Sequence, residues 1–332
     1  MIPARRASSV CVRLCAIRAR ATALPVDAIV LVKSLLTWHI DATMSTLKNS
    51  FARTVAILTL VLAVATPCRA QSVSEFGTAI EDYFINWFPR VTQIQSEQPH
   101  WITPLVTVTP RLEEEVRYDQ FFQSMRDGLA TDNFGGGKGI ELIPFQATEV
   151  IIGIPAFEKR NIPRNTDGFA DWPFLVKFRL LSSNEEHDNY IVTAFLGFSV
   201  PTGSNVNGNG HFLFTPTLAA GKGFGDFDVQ STVGVTFPSG GLDRLGMPLA
   251  WNTAFQYRLF KYFWPEFETN YTWQSYGADT GHSTLYLTPG LLVGRIPIHD
   301  RIGLTFGAGY QVAVTMHRNY NHNVILTARI PF

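Results

Sequence analysis

The chain has 332 residues, 46% hydrophobic and 16% charged, with 27 basic and 27 acidic side chains. Residues 1–70 hold nine of the basic side chains and two of the acidic ones, which leaves 18 and 25, a net charge of −7, for residues 71–332. Without a basic surplus there is nothing to meet nucleic-acid phosphates. Cys11, Cys15 and Cys68 all precede residue 71, which excludes disulfide, zinc-thiolate and thiol-nucleophile chemistry beyond it.

Residues 1–43 read as an over-extended start or lead-in. Residues 44–70 have the form of a secretory signal peptide: Lys48 and Arg53 precede an apolar run from Val55 to Ala65, and Cys68-Arg69-Ala70 supplies a cleavage site before Gln71. Over 71–101, Phe76, Ile80, Tyr83, Phe84, Trp87 and Phe88 recur on one face of a helix that Pro89 is expected to end. It suits a short periplasmic helix packed under a barrel. A lumen plug and a partner-docking helix are the alternatives.

Residues 102–332 contain no apolar run long enough for a spanning helix. They show repeated segments of about ten residues with period-two alternation, the mark of a closed antiparallel transmembrane β-barrel. In 190–200, Ile191, Thr193 and Phe195 oppose Tyr190, Val192 and Ala194; in 301–314, Gly303, Thr305, Gly307 and Gly309 oppose Ile302, Leu304, Phe306 and Tyr310. Twelve strands are predicted, near 103–118, 139–145, 148–157, 172–182, 189–200, 211–222, 226–237, 247–259, 263–274, 284–295, 301–314 and 321–332. Short and long connectors alternate between them, and an even count puts both ends on the periplasmic side; 139–157 read as one long strand is the alternative that would break this parity. The stretch Gly221 to Gly225 joins two strands and opens no helix, so it reads as a tight turn and not a nucleotide loop. The chain closes on HNVILTARIPF, with Val324, Leu326, Ala328, Ile330 and Phe332 on one face and Asn323, Ile325, Thr327 and Arg329 on the other. Closure onto the first strand removes the edge.

Parity assigns the lumen. Arg111, Glu113, Glu115 and Arg117 share a face of the first predicted strand, Leu112, Val116 and Tyr118 face out, and Glu114 is a misfit. Glu141, Glu149, Lys177, Arg179, Asp228, Arg258, Glu266, Glu268, Arg301 and Arg329 complete the inward set. Such a mixture serves either as an ion-pair network that satisfies buried charge or as a polar constriction that selects solutes. No Ser–His pair has spacing suited to an orienting acid, so no catalytic residue is expected. Asp167 and Asp279 are weak cation candidates with no repeated acidic loop behind them; no metal site or cofactor is expected.

Four stretches, TPRLEEEVRYD (109–119), GIELIPFQATEVIIGIP (139–155), FTPTLAAGKGFGDFDVQSTVGVTFP (214–238) and the final ARIPF, resemble the outer-membrane transporter family named for the meta-cleavage pathway of phenol degradation. The resemblance implies a barrel in the outer membrane of a Gram-negative bacterium and passage of small organic molecules. A C-terminal Phe332 behind Ile330 resembles the signal read by the barrel assembly machinery. The expectation is therefore a lipid-embedded barrel for passive or facilitated diffusion of small aromatic or hydrophobic solutes. A closed barrel binding partners through its outer loops is the alternative, with a lipid hydrolase behind it.

Overall fold

The computed structural model describes residues 73–332 except 126–127, 137 and 162–165. The lead-in and signal peptide expected over 1–70 lie outside the described residues. Residues 82–332 make one compact unit.

Twelve strands close into an antiparallel barrel: β1 (Glu115–Ser124), β2 (Gly139–Phe145), β3 (Thr148–Gly153), β4 (Trp172–Ser183), β5 (Tyr190–Val200), β6 (Leu213–Phe224), β7 (Phe227–Val235), β8 (Pro248–Tyr257), β9 (Phe263–Gln274), β10 (Ser283–His299), β11 (Ile302–Ala313) and β12 (His322–Pro331). Each pairs with its sequence neighbour, and β12 returns to β1 in a continuous register from Glu115 opposite Pro331 to Ser124 opposite His322. The closed ladder leaves none of these twelve strands at an open edge. Short strands extend the wall at one end: Ala130–Phe134 continues on β1, and Phe157–Arg160 pairs with it in turn. That end carries the long connections. The opposite, short-turn end holds Phe332 and tight turns such as Gln146-Ala147 and Gly225-Asp226. At the latter, Gly225 takes a left-handed φ of 65° that a side chain would strain.

The alternation has a direct physical reading. Outward residues such as Tyr118, Phe178, Phe267, Phe306, Leu326 and Ile330 are all exposed apolar groups, while polar side chains one position away, Arg117, Lys177, Glu268, Thr305, Thr327 and Arg329, are buried. This inverts a soluble protein and fits a belt of lipid. The described residues include no helix long and apolar enough to span a membrane. The strands do that instead.

The first predicted strand differs. Residues 103–114 are not in the wall; β1 starts at Glu115. Pro104 and Pro110 each lack a backbone donor for a ladder, and the stretch between them runs inside the lumen. Leu112, expected to face out, is fully buried. The helical region also differs. It forms α1 (Val73–Ile85) and α2 (Trp87–Ser96), broken at Asn86. Pro89 does not end the helix. It sits in the first turn of α2, where backbone N–H groups have no intrahelical acceptor to lose.

Candidate functional site

The lumen is occupied by residues 98–114. The segment rises from the short-turn end, reverses around Pro104 to Thr107, and descends to β1. Its two limbs are clasped where Gln98 Nε2 donates to the Leu112 carbonyl (2.7 Å) and Leu112 N–H donates to Gln98 Oε1 (2.9 Å). The Arg111 guanidinium donates to the carbonyls of Pro99 and Trp101 across the same gap.

An irregular backbone inside a barrel needs a partner for each polar group, because no secondary structure supplies one. The lumen charges do this. Glu268 on β9 accepts from the N–H groups of Val106 (2.7 Å) and Thr107 (2.6 Å), and Glu266 accepts from that of Leu105 (3.1 Å). Three and four strands round the wall, Arg329 on β12 donates to the carbonyls of Thr103 and Pro104, and Arg117 on β1 to that of Leu105 (2.6 Å). Carboxylates thus take the donors of the turn and guanidinium groups its acceptors. Lower down, Lys177 Nζ lies 2.8 Å from Glu149 and donates to the Arg111 carbonyl (3.0 Å), while Glu149 accepts from the Glu113 N–H (2.6 Å). The buried ion pairs Arg111–Glu113 (2.7 Å) and Arg117–Asp119 (2.8 Å) belong to the same network, in which Arg295 also pairs with Glu113 (2.9 Å).

Apolar contacts lock the segment. Trp101, Ile102 and Leu105 pack with Ile191, Trp264, Leu292 and Ile325. Wall glycines make the room: a Cβ at Gly290 or Gly309 would fall 2.5 or 2.6 Å from Leu105 Cδ1, and one at Gly221 would fall 2.5 Å from the Trp101 ring. Gly309→Val is therefore expected to push Leu105 from its seat at a cost of about 1–3 kcal/mol, the usual penalty of overpacking. A lowered urea midpoint of the folded barrel checks this; an unchanged midpoint would show that Leu105 is not wedged.

At the short-turn end, Val91 and Ile94 of α2 pack on Leu112 and Ile143. Arg179 donates to the Ile94 carbonyl (2.7 Å), capping the helix C-terminus, and pairs with Glu97 (2.8 Å). Glu114, the misfit, is explained here: it accepts from the Trp87 indole (2.6 Å) beneath the lumen and faces no lipid. Glu185, in the β4–β5 turn, takes hydrogen bonds from the His100 imidazole and main chain. Burial raises its carboxyl, but those bonds outweigh it and hold the group at about 2, against its ordinary 4.5. The contribution of this anchor is present above pH 4.5 and is lost as pH falls toward 2.

The structure brings Arg111, Glu113, Glu115, Arg117, Glu141, Lys177, Asp228, Glu266, Glu268 and Arg329 into the lumen, all buried, with Arg179 at its rim. Arg111 and Glu113 reach it from the inner segment and not from a strand. Arg258 is a correction: it is exposed in the β8–β9 turn and pairs with Asp226 (2.7 Å). Arg301 sits beside α2, donating to Thr92 Oγ1, and not in the lumen. The neutral amides Gln230, Gln256, Asn270, Gln311 and Asn323 also point inward. The alternation puts them on the same faces as the charges, Asn323 with Arg329 and Asn270 with Glu268. Gln230 bridges Ile102 O (3.1 Å), Asp228 (3.0 Å) and Gln256 (2.9 Å).

Above the turn, toward the long-loop end, lies an open cavity of about 410 Å³. Val106 forms part of its lining, with Phe121, Tyr320, Gln311, Asn323 and Asp171 around it. The volume suits a small organic molecule.

The architecture is that of a twelve-stranded transmembrane β-barrel with an inner segment. No family model matches the chain, and no curated protein matches it. Among solved structures, the COG4313 outer membrane channel from Pseudomonas putida F1 aligns with a TM-score of 0.51 and 14% identity, over 70% of this chain and all of that one. Salmonella typhi OmpF in complex with daunomycin aligns at 0.34 (10% identity; 66% of this chain, 96% of that one), and outer membrane phospholipase A from Escherichia coli at 0.33 (11%; 68% and 99%). The first likeness is one of fold; the other two are too distant to carry an argument.

Proposed function

We propose that this chain is an outer-membrane channel through which small solutes diffuse passively, aromatic and hydrophobic ones among them, and that the lumen segment 98–114 is its gate. The observation that carries this reading is how the segment is held. It fills the barrel without joining the strand ladder, and its turn hangs on side chains that a local displacement would release. The short-turn end is then periplasmic, the long-loop end external, and the cavity over Val106 an outer vestibule. Phe121 and Tyr320 beside neutral amides suit an uncharged or aromatic solute. The resemblance of four stretches to the transporter family of the phenol meta-pathway supports the same solute class. Solutes move down their gradient without cofactor or energy source, and no residue is assigned a catalytic role. Phe332 and Ile330 end the strand that the assembly machinery would read.

Planar-bilayer recording of the folded protein tests the proposal. Infrequent, discrete, ohmic openings are expected, with small aromatic acids or phenols reducing their current. The filled lumen also suits a permanently closed barrel that binds partners through its loops. Silence from folded protein, with no solute effect, would select that reading and reject the channel.

A further inference from the structure

Two external loops meet at a second site. The β9–β10 loop carries Asp279 and His282, and the β11–β12 loop carries His317. One ligand atom from each of the three lies within 4.8 Å of the others, the one such group of His, Cys, Asp or Glu among the described residues. We propose that Asp279, His282 and His317 bind a divalent transition-metal ion, zinc foremost, which ties the two loops together.

Ligand chemistry sets the class of ion. Two imidazoles and a carboxylate are a zinc donor set, with water in the fourth position; calcium and magnesium take all-oxygen shells and are disfavoured. The ligand atoms are gathered but the rings are not yet aimed, because an imidazole binds a metal in its own plane and at least one ring must turn out of the stack to share an ion with the other. The His282 and His317 rings lie parallel, 5° apart in plane and 4.5 Å between centroids. Zn–N bonds of about 2.0–2.1 Å place tetrahedral ligand atoms roughly 3.3 Å apart, so turning the partly exposed side chains completes the site. The backbones beneath them are fixed. His282 N–H donates to the Asp279 carbonyl (3.0 Å), and Gln274 N–H donates to the His282 carbonyl (2.9 Å). The His317 carbonyl accepts from Thr284 Oγ1 (3.1 Å) and Thr315 Oγ1 (3.0 Å). Thr284 is the second residue of β10, the strand after the first loop, so the second loop is already docked on that hairpin.

Such a clamp acts on the vestibule. Tyr320, in the same loop as His317, stacks on Tyr286 at 4.5 Å, donates to Gln311 (2.6 Å) and lines the cavity. An ion held by both loops fixes that wall. This consequence rests on the proposed channel; the binding itself does not.

Calorimetric titration of the folded, detergent-purified protein with zinc is the test, with cobalt(II) absorption reporting the coordination geometry. One ion per chain is expected. His282→Ala and His317→Ala should each weaken binding by at least about tenfold. His322→Ala, whose ring stacks on Tyr310 instead, should leave it unchanged. Absence of stoichiometric binding by the folded protein, affinity that survives both substitutions, or an equal loss in His322→Ala would each overturn the proposal. Because binding is read without conductance, a silent barrel that takes up zinc rejects the channel and keeps the metal site, and a conducting barrel that takes up none does the reverse.

Discussion

Glu268→Ala is expected to turn a rarely opening barrel into a freely conducting one. Its carboxylate is fully buried and accepts two backbone N–H groups from consecutive residues, Val106 and Thr107. Hydrogen bonds to a charged group each contribute about 1.5–3 kcal/mol. Removing the carboxylate also strands two donors in the seated state, whereas a displaced segment offers them to water. The seat therefore loses about 3 kcal/mol or more, which shifts the ratio of displaced to seated segment by at least about 100-fold. Glu268→Gln keeps a carbonyl acceptor without the charge and should fall between. Open probability in planar bilayers reads the series directly. If Glu268→Ala opens no more often than the parent, residues 98–114 are a fixed wall and the gating idea fails. Arg329→Ala should act in the same direction, because Arg329 holds the carbonyls of Thr103 and Pro104 from a strand three places round the barrel. Its effect should be smaller, since Arg117 shares the turn through Leu105.

The wall of the barrel is legible in the sequence because period-two alternation is a local property. Ile325 and Arg329 are buried and Leu326 and Ile330 exposed, as parity requires. The hairpin at Gln146-Ala147 is the least legible, because neither residue is a turn former and 139–157 also reads as one long strand. The inner segment was not legible, for a physical reason. Residues 103–118 alternate through Thr103, Leu105, Thr107 and Thr109 into Arg111, Glu113 and Glu115, so the pattern crosses the start of β1 without a change of period. An extended chain threaded through a polar lumen and a strand in its wall meet similar surroundings on one face. They differ in where their backbone groups bond, and that is decided by Glu266, Glu268, Arg117 and Arg329 on distant strands. Pro104 and Pro110 were the available signal, since neither donates to a ladder. The lumen charges were found by parity, but their task was not. Of the two uses expected, a paired network describes Arg111–Glu113 and Lys177–Glu149, yet several of these side chains spend their remaining bonds on the segment's backbone. The Asp279, His282 and His317 group was invisible for a related reason: its ligands sit on separate loops that only the barrel's register brings together.

Lys177→Met is expected to destabilise the folded barrel by about 3–5 kcal/mol, the cost of stranding one member of a buried pair. Lys177 and Glu149 are both fully buried with 2.8 Å between charged atoms, and Lys177 also caps the Arg111 carbonyl. Loss of the ammonium leaves the Glu149 carboxylate tied to the Glu113 N–H without its cation. The double variant Lys177→Met/Glu149→Gln removes both charges and keeps an acceptor for Glu113. It should therefore recover part of the loss, with a coupling of about 2–3 kcal/mol between the two sites. Equilibrium unfolding in urea of the two single variants and the double closes the cycle. Additive losses would place the importance of Lys177 in its bond to the Arg111 carbonyl and not in its charge partner. A recovered double variant whose conductance also rises would separate two roles for one residue: the ion pair stabilises the wall between β3 and β4, and the ammonium-to-carbonyl bond holds the descending limb of the gate.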